Sequence, residues 1–297
     1  MTNIIVLGVS GMLGSMVFNY LSKNEQFKVF GTSREPSSLI YKNILNLDAK
    51  NITEEALLKL ITKSKPDYIV NCIGIINKYC TPDNQEGIQN AILVNALFPY
   101  KLAYVTKKFS PKTKIIQIAT DCVYSGNKGN YIENDIHDPV DVYGKSKSLG
   151  EVVNDNFINI RCSIIGPELK TKISLLEWFL AKSEHETVYG YNHHIWNGVT
   201  TLQFAQFCEE VIIENKFDTL RSLNHVIHYC KNESVSKYEL LLIFKEVFRK
   251  DVEIIKIDNS KRLNRTLDSI YLKNEMKKIS DSVFELNEFV LKTNYYN

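Results

Sequence analysis

The chain has 297 residues, a formal net charge of +2, 44% hydrophobic and 24% charged residues. This is the balance of an ordinary soluble globular protein, with room for one large domain or two modest ones and no electrostatic case for a nucleic-acid partner. Six cysteines, at 72, 80, 122, 162, 208 and 230, show no paired metal-ligand spacing. They read as reduced thiols, with neither a disulfide framework nor a metal site expected. The opening "MTNIIVLG" lacks a basic leader and a long apolar segment, and no stretch approaches the ~18–20 apolar residues of a membrane span. A cytoplasmic protein without a membrane partner is therefore expected.

The run from Asn3 to Leu7 is apolar, β-branched and followed by glycine, which suits a strand buried on both faces of a parallel sheet. A helix is predicted over 12–22, a strand over 27–31, and a helix over 53–64 with Thr53 as its cap. Then come a strand at 66–74, a long helix at 90–109 interrupted near Pro99, a strand at 113–120, a helix at 143–155 and a strand at 157–166. This alternation predicts an α/β doubly wound parallel sheet of the Rossmann type. After Gly166 the rhythm changes to amphipathic helices at 173–183 and 200–215, separated by a polar, aromatic loop at 185–199. The tail reads as short mixed elements with a last helix near 234–249. The expected division is a nucleotide-binding domain over 1–166 and a smaller C-terminal α/β substrate lobe over 167–297. Part of 199–232 is expected to return to the first domain.

The turn after the first strand is Gly8-Val9-Ser10-Gly11-Met12-Leu13-Gly14. Glycines here allow a tight turn and let backbone N–H groups approach a pyrophosphate, and the next helix adds the positive end of its dipole. The second strand runs into Thr32, Ser33 and Arg34, where a carboxylate would instead grip a free ribose 2′-OH. Hydroxyls and a guanidinium favour NADP(H) over NAD(H). Asp48 is a candidate adenine contact or a loop cap, and Gly74, closing the 66–74 strand, joins the cofactor set.

Two YxxxK patterns occur, Tyr104–Lys108 and Tyr143–Lys147. Tyr104 falls in mid-helix and reads as a packing residue. Tyr143 begins the helix that follows the strand ending at Thr120. Residues four apart share a helix face, so Lys147 lies beside Tyr143, where an ammonium would lower the phenol's pKa. With Thr120 as a second hydroxyl, this is a site for reducing a carbonyl.

These residues resemble the extended short-chain dehydrogenase/reductase family, and "TDCVYSG" with "VYGKSKSLGE" is similar to its dTDP-4-dehydrorhamnose reductase branch. The resemblance implies NADPH-dependent reduction of a 4-keto group on a nucleotide-linked 6-deoxyhexose. It gives Asn95 a structural role and makes "RCSIIGPE" (161–168) the strand and loop beside the nicotinamide. "HIWNGVTTLQFA" (194–205) becomes the returning lobe segment. Asp121, Trp196 and Asn197 are then substrate-side candidates, Trp196 either stacking on the sugar or base or closing the lobe. Relatives often form homodimers through the helices that here carry 90–109 and 143–155.

Cys122 departs from plain rhamnose reductases, which usually place an aromatic residue there. Related epimerase/reductases resemble this chain in having a cysteine two residues after the catalytic Ser/Thr, where it serves as an acid/base. The resemblance thus implies C3/C5 epimerisation in addition to reduction, with UDP-linked sugars of the rhamnose or N-acetylrhamnosamine type favoured. A 4-ketone acidifies its neighbouring C–H bonds, so a thiol with a lowered pKa could act on them. Lys172 is the expected opposite-face partner, with Lys170, His193 and His194 as rivals. Two further readings stand beside this one: a simple dTDP-4-dehydrorhamnose reductase, or a non-catalytic NADP-binding subunit like the methionine adenosyltransferase β subunit.

Overall fold

A computed structural model describes residues 1–36, 43–258, 262–273 and 275–296. Six strands carry the first part: β1 (Thr2–Leu7), β2 (Phe27–Ser33), β3 (Ile44–Asn46), β4 (Tyr68–Asn71), β5 (Lys114–Thr120) and β6 (Phe157–Cys162). The short strands β7 (Ile164–Ile165), β8 (Thr187–Tyr191), β9 (His194–Trp196) and β10 (Val199–Thr200) follow, and then β11 (Val226–His228). The central sheet has seven strands in the order β11-β6-β5-β4-β1-β2-β3, and every pairing in it is parallel. The expected doubly wound sheet is therefore present, extended by a seventh strand from beyond residue 200. Its order reverses between β1 and β4, and the strand ends there open the crevice in which such sheets bind ligands.

The helices are α1 (Met12–Leu21), α2 (Glu54–Ser64), α3 (Gln85–Ala91), α4 (Phe98–Phe109), α5 (Val142–Leu149), α6 (Leu175–Leu180), α7 (Thr201–Ile213), α8 (Phe217–Leu223), α9 (Lys237–Val247) and α10 (Ile279–Thr293). Thr53 caps α2 through the Ala56 amide, as its sequence implies. The long helix expected at 90–109 starts earlier, at Gln85, because Asn84 caps it by accepting from Gly87 N. Its interruption is a π-helical stretch, Ile92–Leu97, just ahead of Pro99. Proline has no N–H for the carbonyl four residues back, that of Asn95. The helix expected over 143–155 stops at Leu149 because Gly150 passes under Asn95, so closely that a Cβ there would sit 1.9 Å from the Asn95 carbonyl oxygen.

The lobe departs further from expectation. The segment 185–199, read as a loop, contains β8 and β9. Residues 187–191 alternate exposed and buried, a half-buried strand that pairs in parallel with β13 (Glu253–Ile257). Strand β12 (Val235–Ser236) and strand β14 (Leu263–Asn264) flank β9. The helix near 234–249 is not the last: α10 follows it, burying Ile279, Val283 and Leu286 at helical spacing. A single buried cluster runs from Met16 and Val17 of α1 through Phe204 and Val211 of α7 to Leu240 and Phe244 of α9 and Val283 of α10. Sheet and lobe thus share one apolar core, which fixes the lobe over the strand ends.

Candidate active site

The glycine loop sits at the C-terminal end of β1. Gly8 has φ +85°, a conformation that disfavours any side chain, and its N–H donates to Thr32 Oγ1 at 3.1 Å. A Cβ on Gly14 would lie 2.2 Å from the Gly8 carbonyl oxygen, so only glycine lets α1 pack this tightly on the turn. No side chain caps α1, whose N-cap is Gly11, and no acidic residue occupies its first turn. Its first N–H groups are left to a ligand. Around this end lies a cavity of about 450 Å³ lined by Gly8, Thr32, Arg34, Asp48, Gly74 and Asn90 among others. The buried Asn90 Oδ1 has no hydrogen-bond partner there, as expected of an atom awaiting a donor from a ligand.

Within this end the side chains divide. Thr32 and Ser33 are buried, Thr32 tied to Gly8 and Ser33 Oγ accepting from Glu35 N at 3.2 Å. Arg34 is exposed at the rim. Asp48 accepts from Lys50 N at 3.1 Å and Asn51 Nδ2 at 2.7 Å, a loop-capping geometry. A second cleft of about 810 Å³ continues from the first past Ser10, Met12, Leu13 and Gly74 to Tyr143 and Lys147. The glycine loop and the Tyr-Lys pair therefore open onto one continuous depression.

At its far end, Asp141 caps α5 by accepting from Gly144 N at 2.7 Å, which sets Tyr143 on the first turn. Asn95 holds that helix to the loop after β4: its Oδ1 accepts from Ile75 N at 2.8 Å, and its Nδ2 donates to Ile75 O at 2.9 Å and Ser146 Oγ at 3.0 Å. Tyr143 comes within hydrogen-bonding reach of Thr120 at the end of β5. Its pKa is nevertheless raised, not lowered: burial dominates, with Cys122 and Asp121 adding to it and Thr120 only partly opposing. Lys147 is buried and donates to Ile118 O at 2.7 Å. Burial brings that ammonium's pKa down to about 8 against the pull of Glu151. The second pattern, Tyr104–Lys108, lies on the outer face of α4, with Tyr104 exposed and Lys108 over its ring.

The turn after β5 brings the polar residues together. Thr120 Oγ1 donates to Asp121 Oδ1 at 3.1 Å and accepts from Cys122 N at 3.2 Å. Asp121 points inward, only 7% exposed, and burial raises its pKa. Cys122 Sγ lies 3.6 Å from Asp121 Oδ1 and 3.9 Å from Arg265 Nη1. Burial, then the Asp121 charge, push the thiol's pKa up to about 12, and Arg265 recovers only part.

On the lobe side, Trp196 is buried, with Lys237 Nζ 4.7 Å from its ring centroid. The Asn197 amide is consumed by the backbone, donating to Leu267 O at 2.7 Å and accepting from Leu267 N at 3.0 Å. It clamps the lobe where a substrate contact was expected. Lys172 is exposed at φ +49° and does not line the cleft. Its neighbour Lys170 does, 3.7 Å from Glu35 across the mouth. Two residues absent from the sequence reading, Lys237 and Arg265, instead surround Asp121 and Cys122. No group of metal-ligating side chains occurs among the described residues, and no helix among them is long and apolar enough to cross a membrane.

Known proteins are similar to this chain. The chain is similar to a dTDP-4-dehydrorhamnose reductase of Aggregatibacter actinomycetemcomitans, 29% identical over 153 residues, covering 51% of this chain and 46% of that protein. The match thus spans about half the length of that relative. It is also similar to methionine adenosyltransferase 2 subunit beta of Danio rerio, 24% identical over 257 residues, covering 82% of this chain and 73% of that one. A dTDP-4-dehydrorhamnose reductase of Bacillus anthracis str. Ames, solved in complex with NADP, shares the fold with a TM-score of 0.77 at 16% identity, over 97% of this chain and 99% of that one. A family model described as RmlD substrate binding domain matches residues 1–283, and the chain belongs to that family.

Proposed function

We propose that this protein is an NADPH-dependent reductase of the 4-keto group on a nucleotide-linked 6-deoxyhexose, with epimerisation at C3 or C5 in the same site. The observation that carries the reading is the continuity of the cleft from the glycine loop to Tyr143 and Lys147, with Thr120 beside Tyr143. The uncapped end of α1, Gly8 and the unpartnered Asn90 Oδ1 fit a dinucleotide, and Arg34 at the rim fits a 2′-phosphate. NADPH, when bound, supplies a hydride. Tyr143 serves as the acid: its raised pKa keeps the phenol protonated across the neutral range, ready to give its proton to the ketone oxygen. Thr120 holds that oxygen by a second hydroxyl. Lys147, held by the Ile118 carbonyl, is placed to bind a ribose hydroxyl.

The dTDP-linked sugar named for the reductase relatives and a UDP-linked counterpart are the two substrates to compare. A homodimer through α4 and α5 is part of the proposal, supported by the exposed Leu97, Tyr100, Tyr104, Leu149 and Val153 on that side. The match to the methionine adenosyltransferase subunit across 82% of the chain supports the second reading, a regulatory NADP-binding subunit. Retention of both Tyr143 and Lys147 favours the enzyme, since a binding module has no chemical use for the pair. NADPH oxidation with dTDP- and UDP-linked 4-keto-6-deoxyhexoses decides between them. Turnover with either supports the reductase, and none with any would favour the regulator.

A further inference from the structure

Two consecutive tyrosines follow α10, and their hydroxyls reach two different segments that line the cleft. Asn294 ends the helix at φ +50°, a left-handed turn that asparagine tolerates better than most residues. The next two rings splay apart, their centroids 5.9 Å from each other and their planes at 83°. Tyr295 is 4% exposed, and its hydroxyl lies 2.6 Å from Ser15 Oγ. Ser15 Oγ gives its own proton to Gly11 O at 2.8 Å, so the phenol is the donor between them. Gly11 is the N-cap of α1 and lines the cleft with Ser10 and Met12. Tyr296 turns to the other segment, its hydroxyl donating to Glu177 Oε1 at 2.6 Å. That carboxylate is buried, and the same oxygen accepts from Glu168 N at 2.9 Å. Glu168, also buried, folds its Oε2 back onto Ile173 N at 2.6 Å and Ser174 N at 3.1 Å, which ties residues 168–174 into a ring. Buried carboxylates persist only where donors satisfy them, so the shape of the ring depends on these bonds. Glu168, Lys170, Thr171, Ile173 and Ser174 all line the cleft.

We propose that Tyr295 and Tyr296 are positioning residues that hold these two lining segments at one separation and so set the width of the dinucleotide cleft. The proposal rests on the reading of this cleft as the NADPH site. Neither tyrosine lines the cleft; one acts through Ser15 and the other through Glu177. The turn that carries them is a fixed post, because α10 is anchored by the buried Ile279, Val283 and Leu286. Both rings also line an apolar cavity of about 250 Å³ with Pro167 and Leu176, which flank the 168–174 ring. A shift of either lining segment must therefore break a hydrogen bond to the post or drag the other segment with it. The pair lies beyond residue 283, where the match to the family model ends.

The test compares the whole chain with Tyr295→Phe, Tyr296→Phe and the double variant, by amide hydrogen exchange without cofactor and by fluorescence titration with NADPH. Phenylalanine keeps each ring and removes only the hydroxyl. Tyr296→Phe should speed exchange at the Glu168, Ile173 and Ser174 amides about 10-fold and leave the central strands as in the wild type. Tyr295→Phe should do the same at Ser15, whose N–H donates to Gly11 O. Each single variant should raise the NADPH Kd about 5-fold, with a melting temperature within about 3 °C of the wild type. In the double variant the Kd should stay near that about 5-fold rise, because a clamp released at one end holds nothing at the other. Two independent contacts would instead multiply to about 25-fold, and that result overturns the clamp. Unchanged exchange in the 168–174 ring of Tyr296→Phe, or an unchanged Kd in both single variants, overturns it as well. A wild type that binds no NADPH overturns the dinucleotide reading instead, and the exchange measurement on the free protein then decides the clamp by itself.

Discussion

At the glycine-loop end of the cleft the protein works with main chain: Gly8 at φ +85°, the close approach of Gly14 to the Gly8 carbonyl, and the uncapped start of α1. Around Tyr143, at its other end, it gathers side chains from four separate segments: Thr120 to Cys122, Tyr143 to Lys147, Lys237 and Arg265. The first end depends on shape, with Arg34 exposed at its rim and Asp48 engaged in capping its own loop. The second depends on buried charge, and burial moves Lys147 and Lys237 down to about 8 while moving Cys122 up to about 12. Binding and chemistry are therefore separable by mutation. Changes of volume should break the first end, and isosteric changes of charge the second.

The largest expected effect is at the Tyr143 end. Lys147→Met should cut turnover about 1,000-fold in NADPH oxidation assays, since it removes the only lysine on the Tyr143 face of α5 and leaves the Ile118 carbonyl without its donor. Next comes a pure shape change. Gly14→Val should destabilise the fold by about 3 kcal/mol in denaturant titrations and abolish NADPH binding, because its Cβ collides with the Gly8 carbonyl. Arg34→Ala should raise the KM for NADPH about 10-fold with kcat little changed, while leaving NADH use as it was, if the guanidinium serves the 2′-phosphate. A fall in kcat instead would tie the rim to the chemistry and blur the two ends. Lys172→Ala should change either rate by less than about 2-fold, because the side chain is exposed and off the cleft.

The same division decides what the sequence could disclose. Apolar runs ending in glycine reveal β1 and its loop, since their meaning lies within a dozen residues. Tyr143 and Lys147 are visible for a similar reason, as residues one helical turn apart. Lys237 and Arg265 carry no motif and join Thr120 only through the packing of α9 and the segment after β14. One local signal did exist: a lysine opening the Ser236–Glu239 capping box, where acidic residues are favoured. The direction of the Cys122 shift was hidden because it depends first on burial of the thiol and then on which way Asp121 turns. Asn197 resembles a substrate residue in its motif, yet its amide is taken by Leu267, seventy positions away in sequence. Helix α10 could have been found from Ile279, Val283 and Leu286, whose spacing is helical, and β8 from its alternation.

The most direct test of the separation is to measure NADPH affinity and turnover together on Tyr143→Phe, which removes one oxygen from the Tyr143 end and nothing from the glycine loop. The account predicts a Kd for NADPH within about 2-fold of the wild type and a kcat for the 4-keto sugar lower by about 1,000-fold. Turnover near the wild-type rate, or loss of NADPH binding in step with activity, would contradict it.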